Sequence, residues 1–362
     1  MATPQPGSAA TIYSVADLAG VSIATVSRVL QGSANVSDTN RAKVVDAVAE
    51  LNYVALGAAR SLAVRHHEAH GLVLPELTGP YYANLLLGFE SRAAELGQSV
   101  VVLLAAGKQD VAGAVRQLAT RVDGLAMLGS TTVPDEVIRS LRGSKPLVMI
   151  AGPPQPGVEA ISAENHDSAV VLTTHLLADH GRRHLLFVGD PGAALDVSER
   201  YRGFVDAHRA RRRKARQPIA VPFREAEGAI VAGRLLGGTL QADAVVCAND
   251  ELALSIILRL QEGGLRVPED IAVVGWDDVM TARYIQPALT TVRHPVEELG
   301  ALAAERLHQR VTGAPEADRV HLLPTEVVLR ASCGCPEQPT QRHTTRHTTS
   351  VPEKSPTKES SP

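Results

Sequence analysis

From Gly71 onward the chain alternates short apolar runs with longer amphipathic stretches, and no other feature constrains the fold as strongly. "GLVLP" precedes the helix-like "YYANLLLGFESRAAELG", and "SVVVLLA", "VAGAVRQLAT", "DGLAML" and "PLVMI" follow in turn. The second half repeats the pattern with "HLLFVGD", "ERYRGFVDAHRARRR", "ADAVVCAND", "ELALSIILRLQEGG" and "DIAVVGWDD". An apolar run short enough for a strand, buried on both faces and followed by a returning helix, is a parallel βαβ unit. Roughly ten such alternations overfill one open sheet, so two sheets are expected. The non-periodic "GPPQPGVEAISAENHDS" then reads as a crossing between two lobes. The fold class is α/β, with two parallel-sheet subdomains.

The segment ahead of this core is of another kind. In "GVSIATVSRVL", Gly20 to Leu30, Val26, Val29 and Leu30 fall on one side of a short helix, while Ala24, Ser27, Arg28 and Gln31 face the other way. Thr11 can cap a helix through Ala19, Gly20 allows a tight turn, and Ser22 can cap the helix that follows. A third helix from about Asp38 to Leu51, capped by Ser37, would close a small core with Val44, Val45, Val48 and Leu51. This is the pattern of a helix-turn-helix, whose second helix enters the major groove of DNA. An ordinary αα-hairpin with a solvated polar face fits the same eleven residues equally well.

Bulk charge does not choose between them. A net charge of -3 and a pI near 6.5 exclude binding to polyanions by overall attraction, so any DNA contact must be local. The basic run "RARRRKAR" from Arg209 reads as the solvated end of a helix. The opening "MATPQPGSAA" lacks the features of a signal peptide, and no apolar run has spanning length, so a cytoplasmic protein without membrane contact is expected. The three cysteines, with Cys247 far from Cys333 and Cys335, form no disulfide framework. "CGC" with His321, and "HHEAH" from His66, lack zinc-ligand spacing, so neither metal nor cofactor is expected. There is no P-loop, nucleophile elbow or H-E-x-x-H, hence no candidate for catalysis. Residues 1–10 and the Thr-, Pro- and Ser-rich tail 336–362 are expected to be disordered.

The longer stretch "TIYSVADLAGVSIATVSRVLQGSANVSDTNRAKVVDAVAELNYVALGAARSL" resembles the N-terminus of the lactose-repressor/galactose-repressor (LacI/GalR) family almost position by position. "VCANDELAL", "VPEDIAVVGWDD" and "PALTTVRHPVEELG" look like its effector-binding domain, so the resemblance spans roughly Thr11 to Ser332. It implies a helix-turn-helix domain (11–55), a hinge (56–67) and a periplasmic-binding-protein-like core for effector binding and dimerisation (68–335), with crossovers near 163–168, 290–293 and 322–326. It also implies a homodimeric regulator, a repressor, on a pseudo-palindromic operator in double-stranded DNA, controlled by a small effector, a sugar, held between the subdomains. A periplasmic-type sugar receptor is the alternative; it accounts for the core but predicts a signal peptide in place of the helix-turn-helix.

Carried over residue by residue, the base-reading positions fall on Ile23, Ala24 and Arg28, with Gln31 on the same face. Ile23 and Ala24 offer no hydrogen bonds and suit thymine methyl groups, while Arg28 suits guanine. Tyr13, Ser22, Thr25, Ser27 and Asn35 are assigned to phosphates. The hinge matches through Ala59, Arg60 and Leu62, the last at the position of a leucine wedged into the minor groove; Ala55 and Gly57 depart from the family pattern. In the core the resemblance points to Tyr81, Tyr82, Glu164, Asn165, Arg200, Asn249, Asp250, Trp276 and Asp277 as effector ligands. Asn249 and Asp250 follow one apolar run, and Asp277 another, at the strand ends where ligands of parallel sheets gather. Carboxylates and a guanidinium can share the vicinal hydroxyls of a sugar, and Trp276 can stack on its apolar face. The competing readings are a helix cap for Asn249 and a core residue for Trp276.

Overall fold

A computed structural model describes residues 10–30, 33, 35–53, 66–131, 133–315, 319–336 and 343–344. Gln31, the hinge positions Ala55, Gly57, Ala59, Arg60 and Leu62, and nearly all of the tail 336–362 lie outside these residues. The chain forms two units that divide between His67 and Glu68.

Among the described residues, the first unit holds three helices, α1 (Ile12–Ala19), α2 (Ile23–Leu30) and α3 (Asp38–Glu50). Thr11 and Ser14 cap α1 reciprocally: Ser14 N donates to Thr11 Oγ1 at 3.3 Å, and Thr11 N donates to Ser14 Oγ at 2.8 Å. Gly20 takes the left-handed conformation, φ 63°, that ends α1, and α2 leaves at 104° to it. Ser22 Oγ accepts from Thr25 N at 3.2 Å and starts α2. Val15, Ala16, Ala19, Val26, Val29, Val44 and Ala47 form the core, with Val48 and Leu51 packed at its edge. Two details differ from expectation. Ser37 makes no capping hydrogen bond through its side chain, and Val45 is 55% exposed. Val44, Ala47, Val48 and Leu51 follow the helical i, i+3, i+4, i+7 stripe, so Val45 points a quarter-turn or more away from it.

The second unit opens with β1 (Ala69–Leu74), α4 (Gly79–Glu95), β2 (Ser99–Leu104), α5 (Val111–Ala119), β3 (Gly124–Leu128), α6 (Asp135–Arg142), β4 (Leu147–Ile150) and β5 (Glu159–Ala163). Late in the chain, α11 (Val296–Val311) and β10 (Val320–Leu323) return to the same subdomain. Its six-stranded sheet runs β10-β5-β4-β3-β1-β2, and every pairing is parallel. The stretch read as a pure crossing thus contains an inner strand, and the chain changes subdomain only after Ala163. The cause is Glu159, which breaks the apolar pattern. It is buried on β5 and tied to Arg306 Nη2 at 2.6 Å and His321 Nε2 at 3.1 Å.

Both faces of this sheet are covered, as continuous apolar strands require. Leu85 and Phe89 of α4 pack with Leu299 and Leu307 of α11 on one face; Val115, Leu118, Val137 and Leu141 of α5 and α6 cover the other. α4 and α11 meet backbone to backbone. A Cβ on Gly88 would lie 1.9 Å from Glu297 O, and one on Gly300 would lie 2.2 Å from Leu85 O.

On β1, His70 is fully buried, its ring edge-on to His308 at 5.8 Å, and burial, then His308, push its pKa down to about 4. The unfolded chain therefore binds this proton first, so stability is complete above about pH 6.5 and is lost as pH falls toward 4. The loss is bounded at about 3 kcal/mol, from ~1.4 kcal/mol per unit. His70→Gln should flatten the fall of the thermal midpoint between these two pH values; a fall as steep as that of the wild type would assign it to other groups.

The second subdomain comprises α7 (His166–Ala178), β6 (Leu185–Val188), α8 (Leu195–Ala210), α9 (Glu225–Leu236), β7 (Ala244–Cys247), α10 (Asp250–Glu262) and β8 (Ala272–Val274). Its parallel sheet runs β6-β7-β8, extended past β8 by β9 (Thr291–Arg293), which pairs antiparallel with β11 (Glu326–Val328). The chain passes between subdomains after β5, β9 and β10. Asp278, buried beside these crossings, accepts from Arg293 Nε at 2.8 Å and Arg330 Nη2 at 2.5 Å, with Arg283 Nη2 at 3.3 Å. No single helix among the described residues is long and apolar enough to cross a membrane.

Candidate ligand cavity and DNA-reading helix

Between the two subdomains lies a cavity of about 330 Å³. It stands at the carboxyl ends of the parallel strands, where loops and helix starts bring polar groups together. The first subdomain contributes Glu76 after β1, Tyr81 and Tyr82 at the start of α4, Ser130 after β3 and Ala151 after β4. The second contributes Asp190, Asp196, Arg200, Phe223, Arg224, Asn249, Glu251 and Asp277.

Arg200 is the most firmly held of these. Its Nε donates to Asn165 Oδ1 at 2.7 Å and its Nη1 to Ala248 O at 2.6 Å, while Nη2 lies 3.9 Å from Asp196 Oδ2. The guanidinium also sits over the Trp276 ring, 4.6 Å from its centroid. Asp277 has φ 114°, a conformation few non-glycine residues adopt, and its Oδ1 lies 3.4 Å from His294 Nδ1. Burial, and then Asp196, raise the Tyr81 hydroxyl well above its usual range; burial and Glu76 push Tyr82 up to about 12. Both phenols keep their protons and can donate. Glu76, Asp190, Asp196, Glu251 and Asp277 outnumber Arg200 and Arg224 on the wall, so the cavity favours a ligand rich in hydrogen-bond donors. Arg224 Nη2 meets Glu76 Oε2 at 3.1 Å, an ion pair between the two subdomains at the edge of the cavity.

Of the positions read from sequence, Tyr81, Tyr82, Arg200, Asn249 and Asp277 line the cavity, and Glu164, Asn165, Asp250 and Trp276 do not. Each of the four has another task. Trp276 is 1% exposed within the second core, outside the cavity lining, and supports Arg200 from behind. Glu164 caps α7, accepting from Asp167 N at 2.5 Å and Ser168 N at 2.9 Å. Asn165 donates to Ala163 O and orients Arg200. Asp250 is fully buried, accepting from Val279 N at 2.9 Å and Thr291 Oγ1 at 2.7 Å. Asn249 does cap α10, accepting from Leu252 N at 3.1 Å, while also lining the cavity. Asp196, Arg224 and Glu251 were missed. They stand at helix starts, where an acidic or basic residue is ordinary, and nothing in the local sequence separates them from solvated surface.

In the first unit, the outward side of α2 presents Ile23, 41% exposed, together with Ala24 and Arg28. Thr25 and Ser27 are half-buried at its flanks, and Tyr13, Ser22 and Asn35 are exposed. The polar face of the short helix is therefore free of the core.

One more group of side chains comes together. Cys333 and Cys335, read from sequence as incidental and paired only with His321, lie against His175 and His180 instead. His321 binds Glu159. Spacing along the chain gave no sign of this, because α7 and the end of the core meet only in the folded subdomain.

A helix-turn-helix unit preceding a two-subdomain α/β core with a cavity between its sheets defines a class of DNA-binding regulator. Residues 11–55 match the family model of bacterial regulatory proteins of the lacI family, and residues 174–333 match a periplasmic binding protein-like domain. The chain is 31% identical over 333 residues to the HTH-type transcriptional repressor PurR of Aliivibrio fischeri (strain MJ11), covering 89% of this chain and 98% of that protein. It is 34% identical over 314 residues to the ribose operon repressor of Escherichia coli (strain K12), covering 84% and 93%. The crystal structure of the lac repressor dimer bound to operator and an anti-inducer superposes with a TM-score of 0.79 at 30% identity, covering 90% of this chain and 99% of that one. The chain belongs to the LacI family. It is a DNA-binding transcriptional repressor and not an enzyme.

Proposed function

We propose that this repressor binds a pseudo-palindromic operator as a homodimer and is controlled by a small polyhydroxylated ligand, a sugar, held in the cavity. The observation that carries the reading is the cavity wall: a guanidinium fixed by three groups, flanked by carboxylates and two protonated phenols. Such a wall offers paired acceptors and donors to vicinal hydroxyls. Arg200, Asp277, Asn249, Tyr81 and Tyr82 are assigned to the ligand, joined by Asp196 and Glu251. The ribose operon repressor among the relatives, and the lac repressor solved as a dimer on operator, support a sugar and a dimer. A ligand touching both subdomains favours one angle between them, and operator affinity follows if the dimer's two DNA-binding units are spaced by that angle. Calorimetric titration of the full chain with a panel of pentoses and hexoses tests the ligand class. Saturable heat for at least one of them is expected; heat only with a ligand lacking hydroxyls would overturn the sugar.

On DNA, Ile23 and Ala24 are assigned to thymine methyls, Arg28 to guanine, and Tyr13, Ser22, Thr25, Ser27 and Asn35 to phosphates. Arg28→Ala should cost about 1–3 kcal/mol on the cognate site and relax preference at one base pair per half-site. Selection of bound genomic fragments gives the wild-type site, and competition binding compares the variant on it. Equal weakening on cognate and random DNA would make Arg28 a phosphate contact.

A further inference from the structure

We propose that His175, His180, Cys333 and Cys335 form a tetrahedral zinc site that pins the end of the core to α7. The metal-binding atoms of the four residues all lie within 4.8 Å of one another. His175 Nε2 is 3.0 Å from His180 Nε2, 3.5 Å from Cys333 Sγ and 3.3 Å from Cys335 Sγ, and Cys335 Sγ is 3.5 Å from His180 Nε2. A tetrahedron built on Zn–N bonds of ~2.05 Å and Zn–S bonds of ~2.3 Å has edges of ~3.3 Å between nitrogens and ~3.5 Å between nitrogen and sulfur. The side chains already stand near those edges.

The surroundings favour the same reading. His175 Nδ1 lies 2.8 Å from Asp179 Oδ2, which places the ring proton on Nδ1 and leaves the Nε2 lone pair directed at the shared centre. A carboxylate behind a ligating imidazole is the usual outer partner of a zinc histidine. Gly334, between the two cysteines, has φ 110°, and a Cβ there would press on the His180 ring at 3.0 Å. The tight turn over that ring needs glycine. Two thiolates with two imidazoles select zinc over the hard cations magnesium, calcium and manganese. On binding, each thiol gives its proton to solvent and no electron is transferred.

The position gives the site a task. Cys333 belongs to the core of the second subdomain, and Cys335 is partly exposed, leaving a path for the ion to enter. His175 and Cys333 are 158 residues apart in sequence, so the ion would close a long loop and hold the segment after β11 against α7.

The full-length protein, purified under reductant and without chelator, should carry one zinc per chain by elemental analysis. After chelation, cobalt(II) alone should give the intense visible bands of a tetrahedral ion together with thiolate charge transfer. Cys335→Ser and His180→Asn should lose the metal while keeping the far-ultraviolet dichroism of the wild type. Asp179→Asn, a change at an exposed carboxylate, should keep the site but bind cobalt about ten- to a hundredfold more weakly. His321→Asn, which touches Glu159 and not this cluster, should leave the zinc content and the cobalt spectrum unchanged. Absence of zinc with a Cys333–Cys335 disulfide in the intact mass would overturn the proposal, as would cobalt spectra of six-coordinate type or full cobalt affinity in both Cys335→Ser and His180→Asn.

Discussion

Asp278→Ala is expected to destabilise the core by about 3–5 kcal/mol, which lowers its calorimetric transition by roughly 6–15 °C. The carboxylate side chain is 1% exposed and takes hydrogen bonds from Arg293 and Arg330, with Arg283 close by. Arg330 is 12% exposed, and also donates to Leu289 O at 2.8 Å, so it cannot swing into water when its partner goes. The cost is that of leaving a guanidinium buried and unpaired, and it exceeds any worth of the pair itself. Arg293 and Arg330 belong to β9 and the segment after β11, next to the crossings between subdomains, so the loss should appear as early unfolding of the core. The exposed helical pair Arg259–Glu262 provides the contrast, and Glu262→Ala should leave the transition where it is. A shift for Asp278→Ala no larger than that of Glu262→Ala would contradict the assignment.

The second large effect is on ligand affinity. Arg200→Ala and Asp277→Asn should each weaken the sugar by about a hundredfold or more, since losing hydrogen bonds to a charged group costs ~1.5–3 kcal/mol apiece. Arg200 already has Asn165, Ala248 and Trp276 as partners, so its remaining donors reach the cavity in a fixed direction. Removing it leaves the Asn165 oxygen and the Trp276 face without a partner, and some loss of thermal stability will accompany the loss of ligand. Asp277→Asn separates the two effects. Its side chain keeps its shape, and asparagine tolerates positive φ better than most residues. Calorimetric titration should show strong heat for the wild type and little for either variant; unchanged affinity in both would remove these residues from the site.

The parts of this molecule legible in the sequence are those written in short stretches. Thr11, Gly20 and Ser22 act on neighbours within four residues, and they mark the helix-turn-helix directly. The apolar runs that became β3, β4, β6 and β7, and the Gly71–Leu74 part of β1, are visible because burial on both faces leaves no polar interruption. β5 was hidden by its buried Glu159, whose partners Arg306 and His321 lie some 150 residues away. The cavity was legible in part. Strand ends mark where ligands gather, which found Asn249 and Asp277, but do not say which of two consecutive residues turns inward. Asp250 and Trp276 turned into the core, and their neighbours Asn249 and Asp277 into the cavity. The cluster of His175, His180, Cys333 and Cys335 was illegible for the same reason as Glu159, since its members meet only once the last segment packs on α7.

The central claim is that ligand in the cavity governs the grip on the operator, and fluorescence anisotropy of labelled operator DNA tests it most directly. Wild type and Asp277→Asn are titrated onto the selected site with and without saturating sugar. The account predicts equal operator affinity for the two proteins without sugar, and a shift of at least about tenfold on adding sugar in the wild type alone. A sugar that binds the wild type by calorimetry yet leaves its operator affinity unchanged would contradict the claim, as would an equal shift in the variant.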